Sequence, residues 1–267
     1  MSSTEKKTPA WLLALGRTPP PETIEVGGRS YRLDRVFKHD FFAFTARYRA
    51  IEGDERIVLK IGRVASLFGL PLSFIGRLHS WHESAVFREV DDLPIVPRFT
   101  GRYGKHGITH EYIEGHQLAR GEHVPDDFFD RLQEGLTEIH RRKLAYVDLE
   151  KPENVLVGED GSPWLFDFQI SYRWPFRRGG ELLPFRWLRA RLQQSDFYHL
   201  TKLRRRCRPD TMTEEELAAS KRRPAHIRIY GGFTRPITRV RRRILNRIDP
   251  VKKRGERGRV QRPTRVE

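Results

Sequence analysis

The sequence contains one cysteine, Cys207, in 267 residues. Internal disulfides and zinc sites built from several thiolates are therefore excluded, and the chain fits a reducing compartment. Long apolar runs are also missing. The longest stretch without Asp, Glu, Lys or Arg, Val64 to Gly76, covers 13 residues. A membrane-crossing helix needs roughly 18, and this stretch includes Pro71. The apolar run Trp11 to Leu15 is too short for a signal peptide, and Pro19, Pro20 and Pro21 follow it. The expectation is a cytoplasmic protein, soluble or peripheral to the inner face of a membrane. Glycine is absent between Gly28 and Gly53, so no glycine-rich turn can form there. No internal repeat is visible.

What is present suits one two-lobed domain or two small ones. Hydrophobic residues make up 37% of the chain and charged residues 32%, which still permits a sizeable core. The net charge of +16 is unevenly placed. Residues 1–200 carry 29 basic and 28 acidic side chains, whereas residues 201–267 carry 22 and 7. A nearly neutral body thus ends in a basic extension. Blocks such as Arg204-Arg205-Arg206, Arg241-Arg242-Arg243 and Lys252-Lys253-Arg254 attract polyanions: a phosphorylated glycolipid, an anionic membrane face or nucleic acid. The plainer reading is a solvated arm that only aids solubility. Aromatics for base stacking are sparse there, Tyr230 and Phe233 only, which argues against single-strand recognition.

Along the chain, residues 1–22 read as a loose lead-in. Ile24, Val26, Tyr31 and Leu33 alternate around Gly27-Gly28 as a hairpin. Residues 41–50 and Arg56 to Ile61 read as two further strands. Leu78 to Asp91 has helical spacing, with Trp81, Ala85, Val86 and Val90 on its apolar side. Ile108 to Ile113 reads as a strand. Asp126 to Arg142 is a helix with the stripe Phe129, Leu132, Leu136 and Ile139. Val155-Leu156-Val157 and Trp164-Leu165-Phe166 flank Asp160-Gly161 as another hairpin. Strands come first and helices later, which predicts an α+β fold with two unequal lobes.

The most informative segment runs from Leu136 to Ser171. Asp148 lies in a loop after a helix, Asn154 just before a strand, and Asp167 just after a hairpin. Two carboxylates and an amide at strand and loop ends are the hard oxygen donors that Mg²⁺ prefers. This ordered set resembles the catalytic and metal-binding loops of the protein kinase-like superfamily, H-R-D-L-x-x-x-N followed by D-F-G. The resemblance covers roughly residues 30–205. It implies a small β-rich lobe over 23–113, a reduced helical lobe over 114–205, and a basic extension over 206–267.

By that resemblance, ATP and Mg²⁺ are the cofactors. Asp148 would accept or orient the acceptor hydroxyl's proton, Lys151 would neutralise the transferring phosphate, and Asn154 and Asp167 would hold Mg²⁺. Lys60, ending the strand Ile57-Val58-Leu59-Lys60, would contact the α- and β-phosphates. Its partner would be a helix glutamate, Glu83 in preference to Glu89. His110 to Gly115 is similar to the hinge between lobes, where the backbone of Glu111 and Ile113 would read adenine and His110 would line the back of the pocket. His79, His82 and His116 have no ligand pattern and read as structural or solvated.

The chain departs from the family in several places. Asp148 and Asn154 are six positions apart, not five, so either a residue among Leu149 to Lys151 bulges or Asn154 is displaced. Tyr146-Val147 stands where the family has His-Arg, and Gln169 where it has glycine. Lys38-His39-Asp40-Phe41-Phe42 occupies the place of the glycine-rich loop, so side chains must hold the phosphates. Asp196, resembling the buried aspartate of the next large helix, follows Asp167 within 29 residues. This compact form resembles the atypical branch: lipopolysaccharide core heptose and Kdo kinases, and RIO-type kinases. The implied acceptor is a membrane-associated sugar, with a protein serine or threonine or a small molecule as alternatives. The basic stretch Arg173 to Arg191 and the apolar stretch Leu67 to Ile75 lean towards the glycolipid; the apolar stretch reads equally as a buried loop. A reading of another class is a pseudokinase scaffold that binds nucleic acid or another polyanion through its basic extension.

Overall fold

Four antiparallel strands open the fold: β1 (Thr23–Val26), β2 (Arg29–His39), β3 (Ala43–Ala50) and β4 (Arg56–Gly62). The computed structural model describes residues 9–66, 72–176 and 178–221. Gly27 and Gly28 both take left-handed backbone, φ 59° and 76°, at the β1–β2 turn, which only glycine adopts without strain. Along β3, Phe44, Ala46, Tyr48 and Ala50 are buried while Thr45, Arg47 and Arg49 are not. That period of two sets one face against a core. Strands β5 (Phe99–Tyr103) and β6 (Gly107–Glu111) complete a six-stranded antiparallel sheet in the order β1-β2-β3-β4-β6-β5. β1 also packs on β5, so the sheet is curled. Its inner face encloses Ile24, Tyr31, Phe44, Tyr48, Ile57 and Leu59.

Helix α1 (Ser73–Val90) packs against β4, β5 and β6. It starts five residues before the expected Leu78. Its buried side includes Gly76, Ser80, Glu83, Phe87 and Val90. Trp81, expected on the apolar side, is instead 44% exposed, together with Phe74 and Leu78. At 100° per residue Trp81 lies about 140° around the axis from the buried Val86, so both cannot face the sheet. Nearby, α1 and the end of β4 cross closely. A Cβ on Gly76 would lie 2.2 Å from the Arg63 carbonyl oxygen.

The rest of the chain is mostly helical around one large core. A three-stranded sheet, β7 (Gly115–Gln117), β8 (Val155–Gly158) and β9 (Pro163–Leu165), contains the expected hairpin and one strand more. Helix α2 (Phe128–Arg141) buries Phe129, Leu132, Leu136 and Ile139, the predicted stripe. Helix α3 (Leu183–Cys207) buries Asp196, His199, Leu200, Leu203 and Cys207, and α4 (Glu214–Lys221) follows. The architecture is mixed α+β: a curled antiparallel sheet with four helices among the described residues.

Two boundaries differ from expectation. The lead-in is not loose from residue 9 onwards, because Leu12, Ala14 and Leu15 are buried. The Ala14 backbone joins two parts of the sheet: its N–H donates to Asp40 O, and its carbonyl accepts from Val64 and Ala65. At the other end, packing on the body continues past residue 205. Cys207 and Met212 are buried, and Arg208 pairs with Asp126 and Asp210 while donating to the Val124 carbonyl. The basic blocks at 241–243 and 252–254, Tyr230 and Phe233, and residues 67–71 of the apolar stretch lie outside the described residues.

Gly76→Ala would force the helix–strand crossing apart. It is expected to destabilise the protein by about 1–3 kcal/mol, the usual range for overpacking, measurable as a lower urea midpoint at unchanged m-value.

Candidate active site

Lys60, near the end of β4, is the meeting point of three distant segments. Its Nζ lies 2.8 Å from Glu83 Oε1 on α1 and 2.7 Å from Asp167 Oδ1 in the loop after β9. Burial alone would depress the ammonium's pKa, but the two carboxylates outweigh burial and leave it raised. Burial raises the Glu83 carboxyl despite Lys60. In Asp167 the same burial is outweighed by Lys60, and its carboxyl stays below the usual range. Glu83 is only 4% exposed, whereas Asp167 is 34% exposed and faces open space. Of the two candidate glutamates, Glu83 is therefore the one on Lys60. Glu89 pairs with Arg173 at 2.6 Å.

Asp148, Lys151 and Asn154 form a second cluster. Lys151 Nζ lies 2.6 Å from Asp148 Oδ2, and Asn154 Nδ2 donates to the same oxygen at 2.8 Å and to the Asp148 carbonyl at 3.1 Å. The six-position spacing is taken up by a turn at Leu149-Glu150 and a 3-10 turn at Pro152–Asn154, which bring Asn154 back to Asp148. With its nitrogen on Asp148, the Asn154 amide presents its oxygen to the other side. Asp167, with Oδ1 on Lys60, retains Oδ2. One amide oxygen and one carboxylate oxygen fit Mg²⁺, which binds through few protein ligands and completes its shell with phosphates and water.

Tyr146 ties the two clusters together. Its buried hydroxyl donates to the carbonyl of Phe166, beside Asp167, and lies 3.4 Å from that of Asn154. Tyr146 also ends an aromatic column. Phe99 on β5 stacks on Phe87 at 6.0 Å, Phe87 meets Phe168 edge-on at 5.1 Å, and Phe168 meets Tyr146 at 5.3 Å. Ring contacts of this kind add about 0.5–1.5 kcal/mol each to area burial. Sequence reading did not single out this column. Its one local cue is that Phe87 follows Glu83 by one helical turn, on the same face.

The loop that carries Asp148 is strained, and Asp196 holds it. Val147 has φ 72° and Asp167 φ 65°, conformations that are costly for a non-glycine residue and most so for a β-branched one. The fully buried Asp196 carboxylate accepts the N–H groups of Tyr146 at 2.8 Å and Val147 at 2.7 Å, and meets His140 Nε2 at 2.9 Å. One side chain on α3 thereby fixes the backbone just ahead of Asp148.

The remaining candidates border this centre. His110 is buried, stacks on Phe87 at 5.4 Å, and burial pushes its pKa down to about 4. Its Nδ1 pairs with the carbonyl oxygen of Glu111 at 2.7 Å. Glu111 ends β6 with an exposed side chain, and Ile113 is half-buried in the connection to β7. His79 pairs with Gln169 and His82 with the Ser171 carbonyl, so both brace α1 against the loop after Asp167. His116 pairs with Glu122. No protein-family model matches the chain, and no curated protein matches it significantly.

Asp196→Ala would leave three donors without their acceptor. A loss of at least about 3 kcal/mol of stability is expected, taking about 1–3 kcal/mol per unsatisfied buried group. Chemical denaturation measures it, and Asp196→Asn, which keeps one acceptor oxygen, should lose less.

Proposed function

We propose that the chain is an ATP-dependent phosphotransferase of protein kinase-like fold, moving the γ-phosphate of Mg-ATP to a hydroxyl acceptor. In this reading residues 23–113, braced by residues 11–15, form the β-rich lobe, and the helical lobe runs from residue 114 past Cys207 to Met212, ahead of a basic extension. The observation that carries the proposal is the convergence of Lys60, Glu83 and Asp167 with Asp148, Lys151 and Asn154, two clusters joined through Tyr146. Neither cluster alone is specific. A lysine flanked by two carboxylates next to an Asp–Lys–Asn set offers cations for phosphate oxygens, oxygen donors for a metal ion and a carboxylate for the acceptor's proton.

Each residue has a part in that reaction. Lys60 holds the α- and β-phosphates, and Glu83 keeps its ammonium in place. The Glu111–Ile113 backbone borders the adenine. Asn154 and Asp167 would hold Mg²⁺, whose charge neutralises phosphate oxygens. Asp148 orients the acceptor hydroxyl and takes up its proton, and Lys151, resting on Asp148, offsets charge on the group in transit.

A membrane-associated sugar is the acceptor that the surface favours. Phe176, Leu182, Leu183 and Trp187 are 59–71% exposed in the segment that follows the metal loop. Arg178, Arg186 and Arg191 lie among them, and the Arg191 guanidinium sits 5.5 Å from the Trp187 ring. Exposed Trp, Phe and Leu interspersed with arginine suit an anionic lipid interface. No helix among the described residues is long and apolar enough to cross a membrane.

The test follows labelled γ-phosphate from Mg-ATP with purified protein, offering lipid-linked sugar in vesicles and a protein acceptor in parallel. Wild type should transfer label to the sugar, and Asp148→Ala should be slower by about 10²–10⁴-fold, the usual contribution of a positioned acid–base group. Asp167→Ala should be inactive. Label on protein instead would replace the acceptor. ATP binding with no transfer would make the chain a pseudokinase, and no ATP binding would overturn the proposal.

A further inference from the structure

We propose that Lys38 is a second phosphate-binding cation, serving with a side chain the purpose that a glycine-rich turn serves with backbone amides. The assignment rests on the nucleotide-binding reading above.

The turn between β2 and β3 spends most of its amides on itself. The Asp40 carboxylate accepts the N–H groups of Phe42 at 2.9 Å and Ala43 at 3.0 Å, and the Asp40 N–H donates to Ala43 O at 3.1 Å. The N–H groups of Asp40, Phe42 and Ala43 are thus engaged within the turn. Its outer side is pinned as well. Ala14 N–H donates to Asp40 O at 2.7 Å, and Arg63 Nη1 donates to Phe41 O at 2.9 Å. The Arg63 guanidinium, whose residue is only 4% exposed, lies 4.0 Å from the Phe41 ring and reaches Trp11 O at 2.8 Å. A turn tied on both sides cannot settle onto a triphosphate as a glycine-rich turn does.

A side chain can do so, and the sheet register places one correctly. Lys38 on β2 is opposite Thr45 on β3, and Thr45 is opposite Lys60 on β4. Directly opposed residues project from the same face, and strands lie about 4.8 Å apart, so the two lysine Cα atoms are about 10 Å apart in one row. The intervening Thr45 is short. Lys38 Nζ rests on Asp40 Oδ2 at 2.9 Å with its side chain 59% exposed, which leaves the ammonium free to leave Asp40 for an arriving phosphate. Asp40 remains held by its two amides.

The experiment is calorimetric titration of the full-length chain with Mg-ATP, for wild type, Lys38→Ala and Lys38→Arg, alongside ligand-free melting temperatures. Lys38→Ala is expected to bind at least about tenfold more weakly, as befits a lost charge-assisted hydrogen bond. Lys38→Arg should bind close to wild type, and all three should melt alike. Lys38→Ala binding as tightly as wild type would overturn the assignment while the nucleotide reading stands. So would equal weakening in Lys38→Arg, or a lowered melting temperature that accounts for the loss. A wild-type chain that binds no ATP would overturn both.

Discussion

A buried ammonium between two carboxylates is the constraint on which the rest of the structure depends. Lys60, Glu83 and Asp167 come from a strand, a helix and a loop that are remote in sequence. Two carboxylates facing one lysine leave a surplus of negative charge in a partly desolvated place, and an unpaired charge there costs several kcal/mol. The surplus is tolerated because the Asp167 side chain is partly exposed while that of Glu83 is not. The same asymmetry leaves Asp167 as the member able to meet a cation, while Glu83 fixes where Lys60 points.

Around that contact, the core is arranged to hold backbone rather than simply to fill space. The aromatic column from Phe99 to Tyr146 runs from the curled sheet, through α1, to the two loops that carry Asp148 and Asp167. It gives α1 its orientation and hence places Glu83. Asp196 then fixes the strained backbone at Val147 from the far side. Strain of about 1–3 kcal/mol at one residue persists only where its surroundings over-determine it, and here three donors converge on one buried carboxylate. The Tyr146 ring closes the aromatic column, and its hydroxyl links the two loops.

Where the chain departs from the pattern that it resembles, local contacts take up the difference. The longer Asp148–Asn154 spacing becomes a turn followed by a 3-10 turn. Gln169, in place of a glycine, pairs with His79 on α1. The missing glycine-rich loop becomes a tight turn closed by Asp40 and braced by residues 11–14 and Arg63. The lead-in thus acts as a structural part of the sheet.

Much of this was legible in the residues themselves, because local patterns carry local structure. The alternation from Ile24 to Ile61, the stripe on α2 and the turn at Asp160-Gly161 each follow from a period of 2 or 3.6 and from turn chemistry. The candidate site was legible as an ordered set: Lys60, a helix glutamate, Asp148, Asn154 and Asp167. Trp81 was misplaced because it was grouped with Val86, which lies about 140° from it around the helix axis, so that only one of the two can face the sheet. What only the tertiary structure decided is how these pieces meet. Whether Glu83 or Glu89 turned to Lys60 depended on the rotation of α1, which Phe87 and the sheet determine. The seat of Ala14 beside Asp40, the row of Lys38 and Lys60 across three strands, and the grip of Asp196 on Tyr146 and Val147 join residues 22 to 50 positions apart. No sequence period spans such distances, because these contacts exist only once the chain has folded back on itself.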